Sequence, residues 1–193
     1  MPLNQSLFLF INGFAYRYSI LDVVGVWVAG IIPFILLGIL AVIYIKHGHR
    51  YRERRMVLLS LMSGSFVYFV VKTLIVLVYP YPRPYVFFSN IHPLIAQSVA
   101  EGYQSFPSAH TMFFFAISTM VFIYNKRLGL FFLIISSLMG IARIFIGVHW
   151  PLDIVVGMLL GVVASIIIHL VYDTHKVRIE KFLQPLMRFV RRS

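Results

Sequence analysis

Arg143, His149 and Asp153 lie close together in G-I-A-R-I-F-I-G-V-H-W-P-L-D, the stretch from Gly140 to Asp153. The long runs around them are apolar, and an ionisable group at membrane depth is a functional-site hypothesis by default. A carboxylate near a histidine ring nitrogen fixes the tautomer and stabilises the imidazolium, the logic of an activated nucleophile or base. Two other segments can complete the set: Lys72 with P-R-P, Pro82 to Pro84, and F-P-S-A-H, Phe106 to His110. Ser108 precedes an apolar run and reads as the N-cap of a helix whose first-turn amides bind anions. Arg83 and Arg143 add fork-shaped donors that suit phosphate oxygens. Two histidines, two or three cations and no cluster of metal-binding carboxylates point to metal-independent phosphoryl transfer through a phosphohistidine. His149 is then the nucleophile, and His110 the proton donor to the leaving oxygen. The same histidines could instead ligate haem in a small b-type cytochrome, a reading that leaves the arginines and Asp153 unexplained.

The spacing of these residues resembles the type 2 phosphatidic acid phosphatase superfamily, membrane relatives of the vanadium haloperoxidases, with motifs K-x6-R-P, P-S-G-H and S-R-x5-H-x3-D. The resemblance covers Lys72 to Asp153, and the last motif is reproduced without a gap by Arg143, His149 and Asp153. It implies that His149 attacks phosphorus, Asp153 orients it and His110 is the general acid. It also implies that Arg83, Ser108 and Arg143 hold the phosphate and that no cofactor is needed. Three positions depart from the pattern: Ala109 for the glycine, Ala142 for the serine and Val76 for the lysine. Lys72 lies one helical turn before Val76 on the same face and is expected to reach the same phosphate by its flexible stem.

The elements that must position these groups are membrane helices. Of 193 residues 60% are hydrophobic and 12% charged, with a mean hydropathy of +0.89, which excludes an ordinary soluble domain. About 20 apolar residues cross a bilayer core, so one compact membrane phosphatase domain spanning residues 1–193 is expected. The fold class is all-α: a polytopic membrane helix bundle of about five spans, near 24–45, 57–79, 108–124, 129–147 and 151–172. An interfacial amphipathic helix over 3–20 precedes them, making six helices in all. Pro33 and Gly38 are expected inside a continuous first span. Lys72, near the far end of the second, is expected to reach the interface. Tyr79, Tyr81, Tyr85 and Trp150 read as an interfacial aromatic belt. His47 and His49 belong to a solvated basic loop rather than a metal pair. No cysteine is present, so there is neither a disulfide nor a thiolate site. No cleavable leader is evident.

Thirteen of the 17 Lys and Arg fall in Lys46 to Arg55, Lys126 with Arg127, and Lys176 to Arg192. By the positive-inside rule these segments and the basic tail, 174–193, face the cytoplasm. Threading five spans from there collects every candidate site residue on the extracytoplasmic face. The net charge of +11 reflects these segments and suits anionic headgroups rather than nucleic acid. The expected protein is a lipid phosphatase of the bacterial plasma (inner) membrane, with a lipid phosphate and the bilayer as partners. Undecaprenyl or another isoprenyl diphosphate is the favoured substrate. Phosphatidylglycerophosphate, phosphatidate and lipid A remain alternatives, as does phosphate transfer between lipids.

Overall fold

Backbone surrounded by lipid must satisfy its own N–H and C=O groups, and helices do this within one segment. The computed structural model describes residues 2–47, 50–98 and 101–189, and among these it is helical apart from loops and one isolated bridge, Tyr81 to Gln104. The helices are α1 (Leu3–Asn12), α2 (Ser19–Gly30), α3 (Ile32–His47), α4 (Tyr51–Phe66), a π segment (Val67–Val71) and α5 (Lys72–Val78). They continue as α6 (Pro84–Phe87), α7 (Ala109–Tyr124), α8 (Lys126–Phe145) and α9 (Pro151–Phe189).

Helix α7 is the centre of the bundle, packed against α4, α8 and α9. Its crossing with α9 is close because two glycines four residues apart face it. A Cβ on Gly161 would stand 2.5 Å from the Met112 carbonyl oxygen, and one on Gly157 would stand 3.0 Å from that of Ser108. Hydroxyls tie the same helices: Ser165 donates to the Ala116 carbonyl at 2.5 Å, and Ser118 and Ser136 share a bond of 2.9 Å. Leu59, Ile117, Met120, Phe132 and Met139 fill the core between them. Large apolar residues such as Phe34, Leu77 and Leu159 point outward, as a lipid-facing surface requires.

Among the described residues three helical stretches are long and apolar enough to cross a membrane: Tyr51–Val78, Lys126–Phe145 and Pro151–Val177. The α2–α3 pair makes a fourth if taken as one span, and α7 is a shorter apolar helix. The polytopic all-α bundle is therefore present, with altered bounds. The helix expected over 3–20 stops at Asn12, and Ser19 begins the next. The span expected over 24–45 is not continuous but bends by 41° between Gly30 and Ile32. Pro33 explains the bend, since it lacks an N–H and its ring clashes with the carbonyl one turn back, that of Ala29. The second span starts at Tyr51, inside the segment expected as a basic loop, and is interrupted by the π segment. The fourth starts at Lys126, where the Asn125 side chain caps the Leu128 amide at 3.1 Å. Helix α9 runs beyond residue 172 into the expected tail, with non-helical angles at His175. His49 and residues 190–193 lie outside the described residues.

Candidate active site

The loop between α8 and α9 is short because Gly147 takes φ +85°, a conformation that side chains disfavour. Pro151 then opens α9, its fixed φ and missing N–H suiting the first helical position. Asp153, in the first turn, reaches back so that its Oδ2 accepts the Trp150 amide at 2.9 Å. This is the returning half of a capping box, and the helix dipole favours a carboxylate there. The same oxygen accepts Ser105 Oγ at 2.5 Å and faces His149 Nδ1 at 3.3 Å. With Nδ1–H directed at the carboxylate, Nε2 keeps its lone pair for attack. His149 and Asp153 are 2% and 1% exposed, so neither charge state is buffered by water. Burial first, then the positive charges of Arg143, Arg83 and Lys72, push the His149 ring well below its usual 6.5, which favours the neutral form.

The F-P-S-A-H segment is fastened to this loop by its backbone: the Ser108 amide donates to the Asp153 carbonyl at 3.1 Å. Ser108 does occupy the N-cap position of α7, but its hydroxyl accepts Thr111 Oγ1 at 3.1 Å instead of capping an amide. It is fully buried. The wall of the adjoining cavity is formed by Ala109 and His110, not by Ser108. That cavity, ≈ 780 Å³, is also lined by Lys72, Arg83, Arg143 and His149, so the two histidines and three cations of the expected set share one space. Asp153 stands behind His149.

The cations are held differently. Arg83 donates Nε to the Glu101 carbonyl at 3.0 Å and Nη1 to Gln97 Oε1 at 3.0 Å, with Glu101 Oε2 3.8 Å from Nη2. Arg143 is 5% exposed, and its Nε has no hydrogen-bond partner among the described residues. A buried guanidinium donor left unpaired beside a cavity favours an anionic ligand. Lys72 does not extend to the interface. Its ammonium donates to the carbonyls of Gln104 and Pro107, each at 2.8 Å, so it builds the turn that delivers Ser108 and His110. The π segment immediately before it rotates α5 relative to α4, an offset with no sequence signature.

Several contributors carry no motif. Ser105 is one. Helix α1 supplies others: Asn4 Oδ1 accepts the Leu152 amide at 2.9 Å, and Asn12 Nδ2 donates to the Phe145 carbonyl at 2.7 Å. Both ends of the loop between α8 and α9 are thus tied to one helix. Phe8, fully buried, packs between them on Trp150 with ring centroids 5.2 Å apart. Trp150 is no interfacial belt residue: it is 1% exposed and donates Nε1 to the Pro82 carbonyl at 2.8 Å, joining the loop to P-R-P. Only pairwise polarity in the sequence, Asn4 and Asn12 within an apolar run, hinted at this role. Among the described residues no group of three His, Asp or Glu comes together as a metal site.

An imidazole backed by a carboxylate, facing a cation-lined cavity inside a membrane helix bundle, suits phosphoryl chemistry on a lipid. The chain belongs to the PAP2 superfamily, whose pattern matches residues 55–176. It is a multi-pass membrane lipid phosphatase, and the haem reading falls with that membership. Among its relatives, undecaprenyl-diphosphatase BcrC of Bacillus subtilis (strain 168) is 34% identical over 163 residues, 83% of this chain and 80% of that protein. Bacitracin transport permease protein BcrC of Bacillus licheniformis is 30% identical over 166 residues, 86% of this chain and 79% of its own. The crystal structure of Aquifex aeolicus LpxE superposes with a TM-score of 0.68 at 27% identity, covering 87% of this chain and 95% of that one. The fold is shared as well with a PAP2 type phosphatidylglycerolphosphate phosphatase from Bacillus subtilis, TM-score 0.60 at 21% identity, covering 90% and 88%.

Proposed function

We propose that this chain hydrolyses undecaprenyl diphosphate, or a closely similar isoprenyl diphosphate, on the extracytoplasmic leaflet of a bacterial inner membrane. The observation that carries the chemistry is His149, hydrogen-bonded to Asp153 and facing a cavity beside the unpaired Arg143. His149 Nε2 attacks the terminal phosphorus, an N–P bond forms, and the bond from phosphorus to the bridging oxygen breaks. His110 gives its proton to that oxygen, releasing the lipid monophosphate. Water deprotonated by His110 then attacks the phosphohistidine, freeing phosphate and restoring both rings. Arg83 and Arg143 neutralise the equatorial oxygens, where charge accumulates in a loose transition state.

The choice of lipid rests on the similarity to the Bacillus subtilis undecaprenyl-diphosphatase. The shape of the cavity agrees with it, since beyond the cations its walls are Pro33, Phe34 and Leu37 of α3 and Tyr68 and Phe69 of the π segment. An isoprenyl chain can lie along such a wall while its diphosphate meets the arginines. The outward orientation follows from the basic segments 46–55 and 126–127 at the other end of the bundle.

The test is a panel in uncharged detergent with EDTA: undecaprenyl diphosphate, phosphatidate, phosphatidylglycerophosphate and lipid A. Undecaprenyl diphosphate is expected to show the highest kcat/KM, and His149→Ala to lose all phosphate release. An acid-labile phosphoenzyme should be trapped at alkaline pH. Full activity in His149→Ala would end the mechanism, and preference for a glycerophospholipid would end the substrate assignment. A reporter fused after Ser193 found outside the cell would reverse the orientation.

A further inference from the structure

The end of the bundle opposite His149 holds a second cavity, ≈ 600 Å³, where α3 ends, α4 starts, and α7 hands over to α8. It stands about 24 Å from the first along α7, whose 16 residues rise about 1.5 Å each. Arg50 and Arg52 line it from the start of α4, Lys126 and Arg127 from the start of α8, and Glu53 is the one carboxylate in its wall among the described residues. Met56 and Ile123 form apolar wall.

Apart from Glu53, the charges are of the wrong sign for their positions. A helix N-terminus presents unpaired amides and a partial positive charge, and cations there are unfavourable. Here two helices of 16 and 20 residues begin at one cavity: α4 has no side-chain cap from Arg50 and one carboxylate, Glu53, in its first turn, while α8 is capped by Asn125 but has no acidic residue in its first turn. Four cations against the single Glu53 carboxylate leave this space positive, and an anion entering it relieves their mutual repulsion. The cavity rim is also fixed: the Arg52 guanidinium donates to the Tyr124 carbonyl, and Lys126 Nζ stands 4.1 Å over the Phe122 ring. Just outside it, Val42 and Ile45 of α3 and Leu130 and Phe131 of α8 are exposed and apolar, a surface along which an acyl chain can run.

We propose that this cavity is a binding site for the phosphate headgroup of an anionic phospholipid, distinct from the active site and independent of which lipid is hydrolysed. Basic pockets between membrane helices recognise such headgroups by charge, with the chain held in the bilayer.

The test uses the full chain, delipidated in uncharged detergent, titrated with phosphatidylglycerol, phosphatidylcholine or inorganic phosphate and followed by native mass spectrometry and thermal unfolding. Phosphatidylglycerol should bind and raise the unfolding temperature by about 5 °C near saturation. Phosphatidylcholine and phosphate should do neither at equal concentration. The Lys126→Gln/Arg127→Gln double variant should bind phosphatidylglycerol about thirtyfold more weakly, and the exposed Arg50→Gln about fivefold, which keeps the test alive if the double variant misfolds. Arg143→Gln should bind it as the parent does. Equal binding of phosphatidylcholine, a matching effect of phosphate alone, undiminished binding in Arg50→Gln, or loss in Arg143→Gln would each overturn the proposal, the last by placing the lipid in the active site.

Discussion

Asp153→Asn separates the electrostatic work of the carboxylate from its structural work. All three of its donors, Ser105 Oγ, the Trp150 amide and His149 Nδ1, meet a single oxygen, at 2.5, 2.9 and 3.3 Å. An asparagine amide oxygen in that place accepts all three, so bond count and shape persist and only the charge is removed. When His149 becomes cationic on forming its bond to phosphorus, the carboxylate 3.3 Å away stabilises it. At an effective dielectric of 20 this attraction is about 5 kcal/mol as an upper bound, and each 1.36 kcal/mol is about a decade of rate. The expected loss is thus about 10²- to 10⁴-fold in kcat. KM should stay within about threefold, because Arg83 and Arg143 still hold the phosphate. Asp153→Ala should behave otherwise, leaving buried donors unsatisfied and costing about 3 kcal/mol or more of stability as well. Phosphate release by purified protein and thermal unfolding in the same detergent measure the two effects. A kcat for Asp153→Asn within tenfold of the parent would refute the electrostatic argument, and an unfolding temperature as low as that of Asp153→Ala would refute the geometric one.

Protonated His149 cannot attack phosphorus, and burial with nearby cations pushes its pKa down, so its attack is lost as pH falls through that lowered value. The acid limb of kcat/KM should therefore lie below pH 6.5, and a limb at or above 6.5 would contradict the buried, neutral ring. Lys72→Met removes two bonds of 2.8 Å to the Gln104 and Pro107 carbonyls and should lower stability by about 2 kcal/mol together with activity. A raised KM with unchanged unfolding temperature would instead give Lys72 a role on phosphate alone. Phe8→Ala empties a fully buried position against Trp150 and should cost about 3 kcal/mol, with kcat falling as the catalytic loop loosens. Parent-like stability and rate would remove α1 from the support of the site.

What was legible in the sequence was the part governed by short range. Arg143, His149 and Asp153 fall within eleven residues, and the helix start at Pro151 places the last two in register without help from elsewhere. Apolar run length located the three long membrane stretches, the bent α2–α3 pair and the shorter apolar α7 for the same reason. The 41° bend is not legible, because Pro33 lies in a run apolar enough to read as one continuous span, and hydropathy carries no angle. The π segment left no trace at all, since one extra residue per turn changes the register but not the composition. Lys72 was placed near the phosphate by its face on the helix, yet what its ammonium meets depends on a loop 32 residues later.

The departures at Ala142 and Ala109 become intelligible at that longer range. Ala142 is 6% exposed and lies in an apolar cluster with Ala29, Ile146 and Val148. Alanine suits that apolar surrounding, whereas a serine there would turn its hydroxyl back to the carbonyl four residues earlier, as Ser60 and Ser63 do. The hydroxyl that does meet the catalytic carboxylate comes from Ser105, in a different loop. Ala109 keeps its backbone at the mouth of the cavity, where an added methyl group replaces the glycine hydrogen without removing the amide. Both substitutions therefore leave intact the groups on which the proposed attack at phosphorus depends: a neutral ring, a single oxygen that orients it, and a guanidinium with an unpaired Nε beside it.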